Sequence, residues 1–226
     1  MPSNKTEEQW MKEFTQRGSL WIHDGNPKRP HALLTSGGHS NGFFNAIESI
    51  KDPDLLDEAC DDLLDLLDEE KVVDKSEMVI GSALGAVTIA YQTAKQLVGV
   101  SAGWTEEVIL DPPEDAPEGV KGIKIMELKR FDIKPGTKIL VVEDVMTSGA
   151  TTEKTIAGIK KKNGIVLPQI AVLFNRSGKT HLGEYEIVAL MTHPLENWMS
   201  QDCPLCKKGS EAVRPKANWA KLTAAY

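Results

Sequence analysis

Ile139-Leu-Val-Val-Glu-Asp-Val-Met-Thr-Ser-Gly-Ala-Thr151 is the stretch that decides the fold. Its first four residues are apolar, which is typical of a strand buried on both faces of a parallel sheet. Small residues then lead into a helical pattern from 149 to about 162. Such a turn can aim several backbone N–H groups at one anion, and the helix N-terminus adds partial positive charge. The hydroxyls of Thr147, Ser148 and Thr151 can donate further hydrogen bonds. The stretch therefore predicts an anion-binding loop.

Two acidic residues, Glu143 and Asp144, lie at the carboxyl end of this predicted strand. Open α/β sheets bind ligands at the carboxyl ends of their strands. Adjacent carboxylates suit vicinal hydroxyls or a hydrated Mg²⁺ ion, rather than a phosphate. The residues together predict a sugar phosphate ligand, with the phosphate on the loop amides and the diol at the two acids.

Strand and helix patterns alternate on both sides of this stretch. The spacing of apolar residues predicts helices over 6–18, 53–70 and 85–97, in addition to 149–162. Further strands are predicted at 78–81, 98–102, 106–110, 122–128, 170–174 and 186–191, and the tail from His193 is predicted to be irregular. The alternation indicates an α/β fold with a mainly parallel, twisted sheet flanked by helices.

Charge and composition exclude several classes of protein. The chain has 26 basic and 33 acidic residues, and a net charge of −7 argues against a nucleic-acid-coating protein. No apolar run reaches the roughly 18 residues of a membrane span, and the first residues lack the apolar core of a secretory signal. Three cysteines cannot all pair within one chain. We therefore expect a cytoplasmic protein, in a reducing compartment, without a nucleic-acid or membrane partner.

The segment from Glu143 to Thr151 matches the signature of type I phosphoribosyltransferases, which bind 5-phosphoribosyl 1-diphosphate (PRPP). The resemblance implies the fold of that family, with a small hood built from the N-terminal and C-terminal regions. It divides the chain into a phosphoribosyltransferase domain over 1–192, including a hood over about 1–50, and a C-terminal extension over 193–226. It also implies that Glu143 and Asp144 contact the ribose hydroxyls. The implied 5′-phosphate site consists of Thr147, Ser148, Gly149, Ala150 and Thr151.

A second segment, Gly81-Ser-Ala-Leu-Gly-Ala86, resembles the pyrophosphate loop of the same family. Its backbone amides could meet a diphosphate without charged side chains. The resemblance adds to the PRPP-binding set the residues Ser82, Ala83, Leu84 and Gly85. It implies Mg²⁺ as the cofactor, held mainly through PRPP with Asp144 nearby.

A third segment, Leu34-Thr-Ser-Gly-Gly-His-Ser-Asn-Gly-Phe-Phe-Asn45, resembles the substrate loop of orotate phosphoribosyltransferases. That resemblance implies base contacts from Ser36 and Gly37, and a stacking wall from Phe43 or Phe44. The alternative is two core phenylalanines after a turn, with His39 as a hydrogen-bonded loop residue.

Arg176 follows the predicted strand over 170–174, where orotate enzymes usually carry an Asp-Arg pair. By resemblance it would face the base, because its planar fork suits a carboxylate such as that of orotate. The alternative is an ordinary surface arginine after a strand.

The chain departs most from the family at the catalytic loop. The family's loop normally opens with an Arg-Lys pair, whereas this chain has Gly103-Trp-Thr-Glu-Glu107 and then an acidic stretch to Glu118. We expect a mobile loop between Leu110 and Lys121 that closes over the site and excludes water. Acids would oppose the charge of a departing pyrophosphate, so a later basic residue should replace the missing charge. Arg130 is the preferred catalytic candidate, and the alternatives are Lys121, Lys124 and Lys129.

The tail contains Cys203-Pro-Leu-Cys206, which is half of a zinc-knuckle pattern. Because structural zinc takes four ligands, a zinc site at Cys203 and Cys206 needs two more. The candidates are Cys60, His181, His193 and a partner subunit. The alternative is a pair of free thiols in a reducing cell.

The resemblance implies a Mg²⁺-dependent enzyme that transfers the phosphoribosyl group from PRPP to a nucleobase, most simply orotate. The products would be a nucleoside 5′-monophosphate and pyrophosphate, and the enzyme would be a homodimer. Three alternatives stay open: a transferase for another pyrimidine or a purine, a non-catalytic PRPP-sensing regulator, and a metal-bridged interaction module.

Overall fold

The computed structural model describes residues 5–112 and 122–225 of the chain. Its helices are α1 Glu7–Gln16, α2 Ala46–Ile50, α3 Pro53–Asp65, α4 Val87–Gln96, α5 Ala150–Lys161, α6 Pro204–Lys207 and α7 Trp219–Thr223. Its strands are β1 Leu20–Ile22, β2 His31–Leu33, β3 His39–Ser40, β4 Gly42–Phe44, β5 Met78–Ser82, β6 Ser101–Leu110, β7 Ile123–Glu127, β8 Lys138–Met146, β9 Ile165–Asn175, β10 His181–Leu182, β11 Tyr185–Thr192, β12 Asn197–Trp198 and β13 Ala212–Val213. Within these ranges, no helix has both the length and the apolar character that a bilayer crossing requires.

The central sheet has seven strands in the order β10-β11-β9-β8-β5-β6-β7. The strands from β11 to β6 are parallel to one another, and β10 and β7 add antiparallel edges. The prediction of an α/β fold with a mainly parallel sheet is confirmed. Helices α1, α3 and α4 pack on one side of this sheet, and α5 packs on the other.

The apolar run at the start of β8 is continuous because both faces of the strand are covered. Leu140 and Val142 belong to the larger core, which also contains buried residues of α1, α3 and α4. Ile139 and Val141 belong to a second core, together with Ile156 and Ile159 of α5. Alternate residues of one strand thus fill two separate cores.

The connections reverse direction between β5 and β8. From β5 the chain proceeds outward to β6 and β7, whereas from β8 it proceeds the other way to β9 and β11. Pairing of β5 with β8 ends at Gly81 and Val142, but β8 continues beside β9 as far as Met146. An opening therefore forms at the carboxyl ends of β5 and β8, which is where open α/β sheets bind ligands.

The bounds of several elements differ from the sequence prediction, and β9 begins at Ile165 rather than at 170. β8 extends to Met146 rather than ending near 143, because its last residues still pair with β9. The two strands predicted over 98–102 and 106–110 are one strand, β6, which pairs with β5 and then with β7. Helix α3 ends at Asp65 rather than near 70, since the side chain of Asp68 caps a separate π-helical turn, Glu69–Val73.

The tail from His193 was predicted to be irregular, and this prediction is wrong. β12 and β13 pair with β3 and β2, so a four-stranded sheet joins the tail to the N-terminal region. A small apolar core supports this sheet and contains Trp21, Ala32, Val213 and Leu222. We call this unit, built from both ends of the chain, the hood.

Candidate active site

A cavity of about 190 Å³ opens at the carboxyl ends of β5 and β8. It unites the two segments that sequence analysis assigned to PRPP. The predicted residues that line it are Ser82, Ala83, Gly85, Glu143, Asp144, Thr147, Gly149, Ala150 and Thr151. Two predicted PRPP-binding residues lie outside this lining: Leu84 is 89% exposed, and Ser148 is exposed at the loop tip.

The loop from Thr147 to Thr151 is shaped as a cradle for an anion. Gly149 caps α5 with a left-handed backbone (φ +91°), and a Cβ there would overlap the side chain of Leu182. Only glycine fits this position without strain. The first turn of α5 presents backbone N–H groups that have no acceptor within the helix, and that of Ala150 donates to Ser148 Oγ at 3.3 Å. Ala150 and Thr151, in that turn, line the cavity.

Glu143 is buried at the floor of the cavity, with 6% of its surface exposed. Its carboxylate accepts hydrogen bonds from Ser82 Oγ at 2.7 and 2.8 Å and from Thr152 Oγ1 at 3.1 Å. Burial, and secondarily the nearby charge of Asp144, raises the pKa of Glu143 to about 8. The folded chain therefore favours the protonated form of this group more than an exposed glutamate would.

Asp144 is more exposed than Glu143, and its Oδ1 accepts a hydrogen bond from Val145 N at 2.8 Å. Its carboxylate lies directly against the backbone of Gly85, where an added Cβ would overlap Oδ2. Gly85 therefore allows the second loop to approach the acids of the first. Asp144 and Gly85 fix the width of the cavity between the two predicted PRPP loops.

Arg176 is a buried cation next to the signature loop. It follows β9, is 7% exposed, and its backbone N donates to Met146 O. Its Nη2 atom donates to Ser40 Oγ at 3.2 Å and to Asn197 Oδ1 at 2.8 Å. Within residues 5–112 and 122–225, no carboxylate forms an ion pair with it. Burial lowers the pKa of the guanidinium.

Of the two predicted stacking rings, Phe44 lies in the larger core and Phe43 packs against the small core of the hood. Phe44 is 5% exposed, and its ring centroid lies 5.2 Å from Phe14 and 4.5 Å from Phe174. Phe43 packs against Trp219 in the hood. The burial of Phe44 fits the alternative interpretation of a core phenylalanine, whereas Phe43 is partly buried and its contact with a base stays a prediction. Ser36 and Gly37 form the exposed tip between β2 and β3.

Arg130, the predicted catalytic cation, is exposed and lies outside the cavity lining. Its Nε donates to Glu106 Oε1 at 2.5 Å, and Trp104 Nε1 donates to the same oxygen at 3.3 Å. Lys124 pairs with Glu107 one residue farther along β6. Lys121 and residues 113–120 of the predicted mobile loop lie outside the described residues.

Cys203 and Cys206 lie beside His31 and His39 in the hood. The partners expected for them from the sequence lie elsewhere. Cys60 belongs to the larger core, where burial raises the pKa of its thiol to about 12, and His181 is exposed on β10. The sequence could not identify His31 and His39, because strand pairing between distant segments brings them to the cysteines.

Comparison with known proteins agrees with this geometry. The sequence profile of the family described as "Phosphoribosyl transferase domain" matches residues 46–204. The orotate phosphoribosyltransferase of Caldicellulosiruptor bescii is 34% identical over 186 residues, covering 82% of this chain and 87% of that protein. The orotate phosphoribosyltransferase of Desulforamulus reducens is 35% identical over 187 residues, with coverage of 82% and 87%.

The chain belongs to the phosphoribosyltransferase family.

The solved structures support the same fold. The crystal structure of orotate phosphoribosyltransferase from Aeropyrum pernix has a TM-score of 0.58 to this chain at 24% identity, covering 80% of this chain and 92% of that chain. At this level of identity the likeness concerns the fold. The resemblance to type I phosphoribosyltransferases drawn from the signature loop is thereby confirmed.

Sequence reasoning missed two side chains of the site. Thr152 lies one residue beyond the signature and donates to Glu143, which its place in the first turn of α5 could have suggested. Lys179 donates from Nζ to Ser148 O at 3.1 Å, so a cation stands beside the anion cradle. No sequence signal pointed to Lys179, because it reaches the loop from the turn after β9.

Proposed function

We propose that this phosphoribosyltransferase transfers the phosphoribosyl group of PRPP to orotate, releasing pyrophosphate and forming orotidine 5′-monophosphate. The observation that carries the choice of orotate is the buried guanidinium of Arg176, which has neutral partners in Ser40 and Asn197. The backbone N–H of Arg176 donates to Met146 O in the signature segment, and this proximity supports a role in holding the acceptor base.

A buried cation without a counter-ion is costly, and a ligand carboxylate would remove that cost. The guanidinium fork can donate two parallel hydrogen bonds to a carboxylate, which adds geometric selectivity to the charge. Among simple pyrimidines, orotate differs from uracil by a carboxylate. Arg176 therefore provides a physical reason for the enzyme to choose orotate over uracil.

In the proposed complex, two loops bind different parts of PRPP. Backbone N–H groups of Ala150 and Thr151, with the hydroxyl of Thr147, would hold the 5′-phosphate, and Lys179 would add a positive charge beside them. Glu143 and Asp144 would accept hydrogen bonds from the ribose hydroxyls. Ser82, Ala83 and Gly85 would meet the pyrophosphate through their backbone.

The donor set at the cavity fits a hydrated Mg²⁺ ion. Asp144 offers a partly exposed carboxylate between the two loops, and hard oxygen donors are the ligands that Mg²⁺ prefers. When bound with PRPP, Mg²⁺ would neutralise the negative charge that develops on pyrophosphate. Asp144 would be positioned to hold its water ligands.

The protein's own groups act on the ribose as the anomeric C–O bond breaks. Positive charge then develops on the ribose ring, and the carboxylate of Asp144 lies where it would stabilise it, together with Glu143 once that group is ionised. The base nitrogen attacks the same carbon, so the reaction needs no nucleophilic side chain. Arg130, paired with Glu106 outside the cavity, would have to move to the pyrophosphate to replace the family's missing loop cations.

The test is a competition among bases with Mg²⁺ and PRPP, with products identified by mass spectrometry. Orotate, uracil, adenine and hypoxanthine are supplied together, and we expect orotidine 5′-monophosphate to dominate. In Arg176→Met, kcat/KM for orotate should fall at least about 100-fold, while the value for uracil changes little. Arg17→Met removes an exposed arginine and serves as the control. A different nucleotide from the wild type would refute orotate as the acceptor.

We also propose that the enzyme acts as a homodimer in the cytoplasm. All three cysteines lie within the described residues and no disulfide joins them, which suits a reducing compartment. An apolar groove of about 370 Å³ between α4 and β6 contains Tyr91, which is 65% exposed, and Trp104. An exposed apolar surface of this kind suits a subunit contact. Light scattering after size exclusion should give twice the chain mass, and that mass should be halved in Tyr91→Glu.

A further inference from the structure

Four metal-binding side chains meet in the hood, away from the PRPP cavity. They are His31 of β2, His39 of β3, and Cys203 and Cys206 of the tail, and their ligand atoms all lie within 4.8 Å of one another. His31 and Cys203 are fully buried, and His39 is 6% exposed. None of these four side chains has a part in the chemical step proposed above.

The distances within this cluster are those of a tetrahedral site. His31 Nε2 lies 3.5 Å from Sγ of both cysteines, His39 Nδ1 lies 3.2 Å from Cys206 Sγ, and the two ring nitrogens are 2.9 Å apart. With Zn–N near 2.0 Å and Zn–S near 2.3 Å, neighbouring ligand atoms of a tetrahedron stand about 3.3–3.8 Å apart. An ion at the centre would separate the two ring nitrogens by about 0.4 Å more than their present 2.9 Å and would need only small shifts of the sulfurs.

The hydrogen bonds around His31 fix which of its nitrogens faces the cluster as an acceptor. Ser210 Oγ donates to Arg29 O at 2.6 Å, so it accepts from His31 Nδ1–H at 2.9 Å. The unprotonated Nε2 of His31 is then directed at the two cysteines and His39. A supporting hydrogen bond that orients a ligating imidazole in this way is a regular feature of zinc sites.

The cysteine segment has the geometry of a metal-binding turn. Cys203 precedes the short helix α6, and Cys206 N donates to Cys203 Sγ at 3.5 Å. The turn brings both sulfurs to 3.5 Å from Nε2 of His31. Cys206 is partly exposed, which gives an ion a route of entry.

We propose that His31, His39, Cys203 and Cys206 bind one structural Zn²⁺ ion. Two imidazoles and two thiolates suit zinc, and a complete set of four protein ligands leaves no open position for catalysis. The ion would fasten the tail to the β2–β3 hairpin, joining residues more than 160 positions apart in the chain. This site does not depend on the identity of the base.

The zinc site would also position the base-binding side of the active site. Ser40 follows His39 directly, and its hydroxyl accepts a hydrogen bond from Arg176. β12, which contains the second Arg176 partner Asn197, pairs with β3 at His39. Fixing His39 to the tail therefore fixes both partners of Arg176. We expect loss of zinc to raise KM for the base more than it lowers kcat.

The experiment is a measurement of metal content by mass spectrometry on the purified full chain. We expect one zinc per chain that survives dialysis, and less than about one tenth in Cys203→Ser/Cys206→Ser. Cys60→Ala and His181→Ala remove a thiol and an imidazole outside the cluster, and both should keep one zinc. Replacement by Co²⁺ should give the intense visible absorption of tetrahedral cobalt with thiolate ligands.

If the double variant does not fold, the wild type itself provides the test. A thiol-specific mercurial should release one zinc as two thiols react, while the buried Cys60 stays unmodified. A folded wild type that contains no zinc after growth and reconstitution with zinc would overturn the proposal. So would one zinc retained in the double variant, or a Cys203–Cys206 disulfide in the purified protein.

Discussion

Replacement of Glu143 by glutamine should stabilise the protein while it impairs the enzyme. The side chain is buried, and its pKa is raised to about 8 in the folded chain, against about 4.5 for an exposed glutamate. The folded state therefore favours the protonated carboxyl group. Its contribution to stability is complete below the unfolded-state pKa and is lost as the pH rises through about 8.

The structure sets the size of this effect. Between the two pKa values, each pH unit lowers the free energy of unfolding of the wild type by at most roughly 1.4 kcal/mol. The upper limit of this loss at pH 8 is about 4 kcal/mol. Water in the open cavity and relaxation of Asp144 reduce the cost, so we expect about 2 kcal/mol. A glutamine at 143 resembles the protonated acid and can keep the contacts with Ser82 and Thr152.

The assay is urea unfolding between pH 4.0 and 8.5, without Mg²⁺ or PRPP. The free energy of unfolding of Glu143→Gln minus that of the wild type should grow from near zero at the lowest pH to about 2 kcal/mol at the highest. Glu70→Gln removes an exposed charge and should show no such trend. A difference between Glu143→Gln and the wild type that is constant across this range would refute the reasoning.

Three further predictions concern two glycines of the cavity loops and Arg130. Gly85→Ala places a Cβ against Asp144, so it should lower the free energy of unfolding and lower kcat/KM for PRPP at least about tenfold. The loss of stability should be smaller in Gly85→Ala/Asp144→Ala, and equal losses of stability in both variants would contradict the contact. Gly149→Ala should lower the free energy of unfolding by about 2–3 kcal/mol, because the new Cβ is both in a left-handed backbone and against Leu182. The control Gly183→Ala has the same backbone strain without a crowded Cβ and should lose less; equal losses would exclude the Leu182 overlap. Arg130→Gln should lower kcat at least about tenfold with little change in KM for PRPP. An unchanged kcat in steady-state assays would show that Arg130 takes no part in catalysis.

Much of the fold could be predicted because its signals are local. The run Ile139–Val142 reads as a strand buried on both faces, and the structure places its side chains in two cores. The anion cradle is likewise continuous in sequence, since strand, turn and helix follow one another from 138 to 161. Local patterns of this kind need no knowledge of distant partners.

The remainder depends on contacts between distant segments. Arg176 is an ordinary arginine in the sequence, and its burial depends on Ser40 and on Asn197 in the tail. His31 and His39 stand eight positions apart in a hairpin, and strands of the tail bring the cysteines to them. The tail itself has only two-residue strands, which are too short to show an alternating pattern.

The most direct test of the central claim is the loss of orotate absorbance in the presence of the purified protein, Mg²⁺ and PRPP. We predict turnover that requires PRPP, and a fall of at least about 100-fold in Asp144→Asn, whose shape is unchanged but whose charge is lost. Absence of turnover in the wild type, together with no measurable binding of PRPP, would contradict the assignment of the cavity between β5 and β8 as the PRPP site.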